Sequence, residues 1–228
     1  MGNVSLLKDG DGNEFSIRTK DVSVTQNNSL RQNWHMASDY PIDHTDGGSF
    51  QVLAKSGALI AGLAANAPII SFRFASTALI AIVRRVKLSA WTNAAGFTAG
   101  MAAFDLYPAR SFTVEDTGGL LAAISGNTGK LRTSGMQASA AHLRVADTGA
   151  LGLGTRSLDA QPSDSVIAAA ATVANTVFAS NLTAFMAIDH PLVLDNLEGF
   201  VVQASVPATG TWSFAAHITW DEVQKASY

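Results

Sequence analysis

The sequence predicts an all-β protein, a β-sandwich of jelly-roll type with long loops and an N-terminal arm. Three observations lead there. No stretch sustains a helical period, apolar runs of strand length recur between Gly, Pro, Asn and Asp clusters, and the region from His190 to Tyr228 holds a cleanly alternating strand.

That C-terminal region is the organising stretch. Two apolar runs, Gly199 to Val206 and Thr211 to Trp220, flank Pro207-Ala208-Thr209-Gly210, the pattern of an antiparallel hairpin with a four-residue connection. In the second run Trp212, Phe214, Ala216, Ile218 and Trp220 share one face, and Ser213, Ala215, His217 and Thr219 share the other. A face with two Trp and a Phe needs a second sheet over it. Phe200, Trp212, Phe214, Ile218 and Trp220 are the expected core of this hairpin.

Upstream, residues 1–48 read as an arm or attachment segment and residues 49–228 as the sandwich domain. In the arm, Lys8 to Asn13 lies between Val4-Ser5-Leu6-Leu7 and Phe15-Ser16-Ile17, which suits a small hairpin turning on Asp-Gly, and Asp46-Gly47-Gly48 reads as a hinge. In the domain, strands are expected over Gly48 to Lys55, Ile69 to Phe74 and Leu79 to Ala90, with another over Gly100 to Tyr107 ending at Pro108. The glycine-rich region from Ser111 to Gly154 reads as loop, with a helical turn near Gly118 to Ile124 and a strand near Ala140 to Ala146. Val166 to Phe178 mixes an alanine run with β-branched residues and is read as a strand, and His190-Pro191 opens a strand over Leu192 to Leu194.

Composition narrows the function. Charged residues are 14% of the 228, against a usual value of about 25%, and mean hydropathy is +0.18. So little charge points to surface buried against other subunits, hence a homo-oligomer, with a trimer favoured. A net charge of −3 argues against a nucleic-acid partner, whose affinity would rest on neutralising phosphate. With no cysteine, disulfides and thiol chemistry are excluded. Ser165 to Ile188 carries no charge over 24 positions, but its Thr, Asn and Ser residues would be costly in lipid, so a buried β layer is expected and no membrane partner.

Catalytic patterns are missing, and no enzyme is expected. No G-x-S-x-G occurs. Ser125 to Lys130 has two residues between its glycines where a phosphate loop has four, and Leu131 follows the lysine. Asp9, Asp11 and Asn13 have calcium-loop spacing, but Glu14 and Lys20 stand where the loop needs Gly and Glu. Histidines are scattered, so neither metal nor cofactor is expected, and the adjacent pairs Glu115-Asp116 and Asp221-Glu222 diverge in an extended chain, so neither is read as a glycosidase dyad. Candidate partner contacts are Arg84, Arg85 and Lys87, the one basic cluster, with Arg85 and Lys87 on one face and Arg84 on the other, and the aromatics Trp34 and Trp91. Tyr40, Phe97 and Tyr107 could join these aromatics in a sugar platform, although core or interface packing is the favoured reading of them.

Pro68-Ile69-Ile70-Ser71-Phe72-Arg73, Ile82 to Val86, Phe104 to Phe112, Asp116 to Gly119, Gly126-Asn127 with Lys130 to Ser134, Gly154 to Pro162, and His190 to Leu194 with Glu198-Gly199-Phe200 come in that order along the chain. Together they resemble a family of uncharacterised virion-associated structural proteins of tailed bacteriophages, over about residues 50–223. The resemblance implies a structural role on the virion, with other virion proteins, major capsid or neck and tail proteins, as partners. A capsid decoration or cement subunit is the first expectation. A neck or tail fibre or spike component that binds a host receptor or glycan is the alternative.

Overall fold

The structure is a computed structural model that describes residues 4–8, 14–18, 47–60, 63, 65–122, 124, 139–184 and 191–225. The chain divides into two units, residues 1–42 and 43–228. In the first, β1 (Val4–Lys8) and β2 (Glu14–Arg18) pair antiparallel with Leu7 opposite Phe15.

The second unit is all-β among the described residues, built from two antiparallel sheets. One has six strands: β3 (Gly47–Lys55), β4 (Leu59–Ile60), β6 (Leu79–Thr92), β12 (Val177–Ala184), β13 (Leu192–Leu194) and β15 (Thr211–Gln224). Its order is β12-β6-β15-β3, with β13 beside β6 and β4 beside β15. The other has seven: β5 (Ala67–Phe74), β7 (Met101–Val114), β8 (Leu120–Ala122), β9 (Ala141–Val145), β10 (Thr155–Leu158), β11 (Asp164–Ala169) and β14 (Glu198–Ser205). They lie in the order β10-β7-β14-β5-β9-β8, with β11 also on β7.

One core fills the space between the sheets, and each tryptophan of β15 anchors one end of it. Trp220 stacks on Phe50 at 5.6 Å and meets the edge of Phe72 at 5.2 Å, while Phe72 stacks on Phe200 at 5.0 Å. At the other end Trp212 packs among Phe104, Phe178, Phe97 and Phe214. Ring pairs of this kind add about 0.5–1.5 kcal/mol each beyond the apolar area they bury.

The hairpin reading of the C-terminal runs is overturned. β14 pairs with β5 and β7, whereas β15 pairs with β6, β3 and β4, so the two strands lie in opposite sheets. Residues 206–210 form an arch across the core instead of a turn. Phe200, Trp212, Phe214, Ile218 and Trp220 are fully buried, but Phe200 belongs to the seven-stranded sheet and the other four to β15 of the six-stranded sheet, so they meet through the core between the sheets instead of along one ribbon. The connection between β6 and β7 crosses at the same end and holds the arch. Asn93 N–H donates to Thr211 O, Thr211 N–H to Ala95 O, and Thr98 N–H to Thr209 Oγ1.

Four smaller expectations also change. Gly47 and Gly48, read as a hinge, lie in β3 opposite Val223 and Glu222. The helical turn read near Gly118 to Ile124 contains strand β8, preceded by Gly118 and Gly119 at positive φ. Val166 to Phe178 is two strands in two sheets, with residues 170–176 crossing between them. Pro108 sits inside β7, not at its end. Its carbonyl accepts Asp159 N–H on the side where β10 and β11 leave a gap, so the missing proline N–H breaks no ladder.

Candidate interaction face

The outer face of the six-stranded sheet is set by alternation along its central strands. With Phe50, Phe214, Ala216, Ile218, Val86, Leu88 and Ala90 buried, the intervening residues point away from the core. Register then fixes their rows. Gln51, Thr219 and Arg85 form one row, Leu53, His217 and Lys87 the next, then Lys55, Ala215 and Ser89. Ser213, Trp91 and Val177 form the last.

The charge on these rows has one sign. Lys55, Arg85 and Lys87 are cationic, and among the described residues of the rows no carboxylate answers them. Asp221, the next residue on this side of β15, is almost completely buried. It is bound by Ser49 Oγ at 2.6 Å and by Arg84 Nε at 2.5 Å. Arg84 therefore behaves differently from its neighbours. Thr219 pairs with Arg85 but Trp220 with Val83, so Arg84 is the extra residue of a β-bulge. Strict alternation would place it opposite Arg85, in the core; the bulge keeps it at the surface beside Asp221.

His217 lies in the middle of the face, with Nε2 3.3 Å from Gln51 Oε1. Partial burial, with Arg85 and Lys87 close by, holds its pKa below the ordinary imidazole value. Apolar groups complete the surface. Leu53 is 62% exposed and Val177 60%, and Trp91 is half-buried beside Val177. Between the longer side chains, Leu53, Lys87, Ser89, Ala215 and His217 line a shallow depression of about 250 Å³.

Two other polar clusters lie on the seven-stranded sheet. Glu115 gathers His142 Nδ1 at 2.8 Å, Arg73 and Arg144. Asp116 is buried with Arg156 and accepts Gly154 N–H at 2.7 Å, while its Oδ2 has no hydrogen-bond partner among the described residues. The two adjacent carboxylates thus point to different surroundings and form no dyad. Asp221 and Glu222 diverge in the same way, since Glu222 turns inward to accept Trp220 Nε1–H at 2.9 Å. Among the described residues no three His, Asp or Glu side chains are placed to hold a metal ion.

Of the expected contact residues, the structure brings Arg84, Arg85, Lys87 and Trp91 onto this one sheet surface, and Trp34 lies outside the described residues. So do Tyr40, His190 and Ser125 to Lys130. Tyr107 is on the other sheet and Phe97 is buried against Phe178, so with Trp91 they build no common platform. Sequence reading missed Lys55, Leu53 and Gln51, which join the face only because β3 pairs with the last strand. No helix among the described residues is long and apolar enough to cross a membrane. Comparison with family models, curated proteins and solved structures finds no match.

Proposed function

We propose that this chain is a structural subunit of a bacteriophage virion, a capsid decoration or cement subunit with a sandwich of jelly-roll type. It stabilises the particle through protein–protein contacts made by the outer face of the six-stranded sheet. The observation that carries this reading is charge segregation: a chain of net charge −3 presents a face whose ionic groups, outside the Arg84–Asp221 pair and among the described residues, are Lys55, Arg85 and Lys87. Exposed Leu53 and half-buried Trp91 give that face apolar contact area beside its cationic groups. Resemblance to virion-associated proteins supplies the context, with major capsid or neck and tail proteins as partners and a homo-oligomer, a trimer for preference, as the working form.

Particles assembled without the chain should form but rupture at lower temperature or milder osmotic shock, and added protein should restore them. The double variant Arg85→Glu, Lys87→Glu should bind at least about tenfold more weakly, since reversing two charges of the face against a complementary surface costs more than one kcal/mol. Equal robustness with and without the chain would remove the cement role. One observation favours the alternative, a fibre or spike component that binds a receptor or glycan: Trp91 and Val177 adjoin on the same face. Loss of host adsorption in Trp91→Ala, with particles intact, would select that reading.

A further inference from the structure

We propose that the depression over Ala215 seats a carboxylate side chain of the partner protein, and that seating it draws a proton onto His217. This rests on the reading of the face as a protein-docking surface and names the chemistry it recognises.

Register explains the hollow. Ala215 lies between Lys55 and Ser89, and His217, on the same face one row along, lies between Leu53 and Lys87. An alanine among longer neighbours leaves a gap whose lining differs from side to side. Leu53 and Ala215 offer apolar surface, while Lys87 and His217 offer nitrogen donors. An Asp or Glu side chain matches both parts, its methylenes on Leu53 and its charge toward the nitrogens. Charge complementarity sets the sign, because no acidic group of the described rows competes for the place.

The proton follows from the same geometry. The charged groups facing His217 are Arg85 and Lys87 from β6 and Lys55 from β3; Gln51 is neutral, and Asp221 farther along β15 is engaged by Arg84 and Ser49. In the free protein burial and these cations disfavour the imidazolium. A carboxylate among them reverses the field and favours it. By linkage, an anion that stabilises the imidazolium is itself bound more tightly by the protonated form, by the same factor.

The test titrates the full chain with a hexaglutamate peptide by calorimetry at pH 8 and pH 6, and follows the His217 ring by NMR with and without peptide. Binding should tighten by roughly fivefold or more toward pH 6, with proton uptake and an upward move of the His217 titration. His217→Gln should bind equally at both pH values. Lys87→Gln should bind more weakly at both yet keep the pH dependence. Three results would each overturn the proposal: no hexaglutamate binding, an undiminished pH dependence in His217→Gln, or an oligothymidylate that binds more tightly than hexaglutamate. Co-sedimentation with particles separates the two levels. If the chain co-sediments and Lys87→Glu does not, while hexaglutamate fails to bind wild type, only the carboxylate assignment falls; if wild type never co-sediments, the docking role falls with it.

Discussion

Glu222 shows how much a single side chain can carry out of sight of its own sequence neighbourhood. The Asp221-Glu222 pair reads as the polar end of a strand, yet β15 continues to Gln224 and both acids are buried. Glu222 accepts from Trp220 Nε1, Ser139 Oγ and Ala140 N–H, so it ties the approach to β9 in one sheet to β15 in the other. Burial raises its pKa above 4.5, and these donors offset only part of that. A raised carboxyl stabilises the fold fully below its unfolded value and loses that contribution as pH climbs through the folded value. Wild-type melting temperature should therefore decline from pH 4.5 toward neutrality more steeply than that of Glu222→Gln, which keeps an acceptor for the indole and has no proton to lose. Glu222→Ala should cost about 2 kcal/mol at pH 7 by stranding the Trp220 N–H and Ser139 hydroxyl, measurable by denaturant melts. Nothing local to Glu222 announces this, because Ser139 is 83 positions away.

At the level of the element, alternation told which side chains share a face and left open which strand lies alongside. The inward set Trp212 to Trp220 and the outward His217 were readable from period two, β3 and β6 from their apolar runs, and β13 from the His190-Pro191 that opens it. Short strands such as β8 and β10 were not, since a few residues carry no period. The hairpin reading failed because two apolar runs joined by a short polar break fit a turn and an arch equally well. Here β15 is wedged between β6 and β3, leaving no side for β14. The arch then makes two demands on its sequence. Gly210 has φ of 99°, and a Cβ there would lie 2.6 Å from Gly96 O. Gly210→Ala should destabilise by about 1–3 kcal/mol. Replacing Pro207 to Gly210 with Asn-Gly, which would suit a hairpin, should abolish cooperative melting, since packed sheets stand about 10 Å apart. Unimpaired folding of that variant would return β14 and β15 to one sheet.

Across the whole molecule, the last strand closes what the first strand of the domain begins. The bond from Ser49 to Asp221 spans 172 positions, and β15 separates β3 from β6 along its length. The candidate face inherits this topology: Arg85, Lys87 and His217 were visible as sequence features, but only closure by β15 sets Leu53 and Lys55 against them. Contacts so distant must lose loop entropy before they gain packing, which places refolding in the millisecond-to-second range typical of all-β domains. It also makes partial chains incompetent. A chain ending at Gly210 removes both tryptophan anchors, strips β6 and β3 of their shared neighbour, and should show no cooperative melt and bind hydrophobic dye. A chain beginning at residue 43 keeps every strand of both sheets and should melt as the sandwich of the full protein does, because the division at residues 42 and 43 leaves the core whole. Native-like melting of the first truncation would show that β15 is an addition to a sandwich already complete, and the interaction face would then be an accessory to the fold.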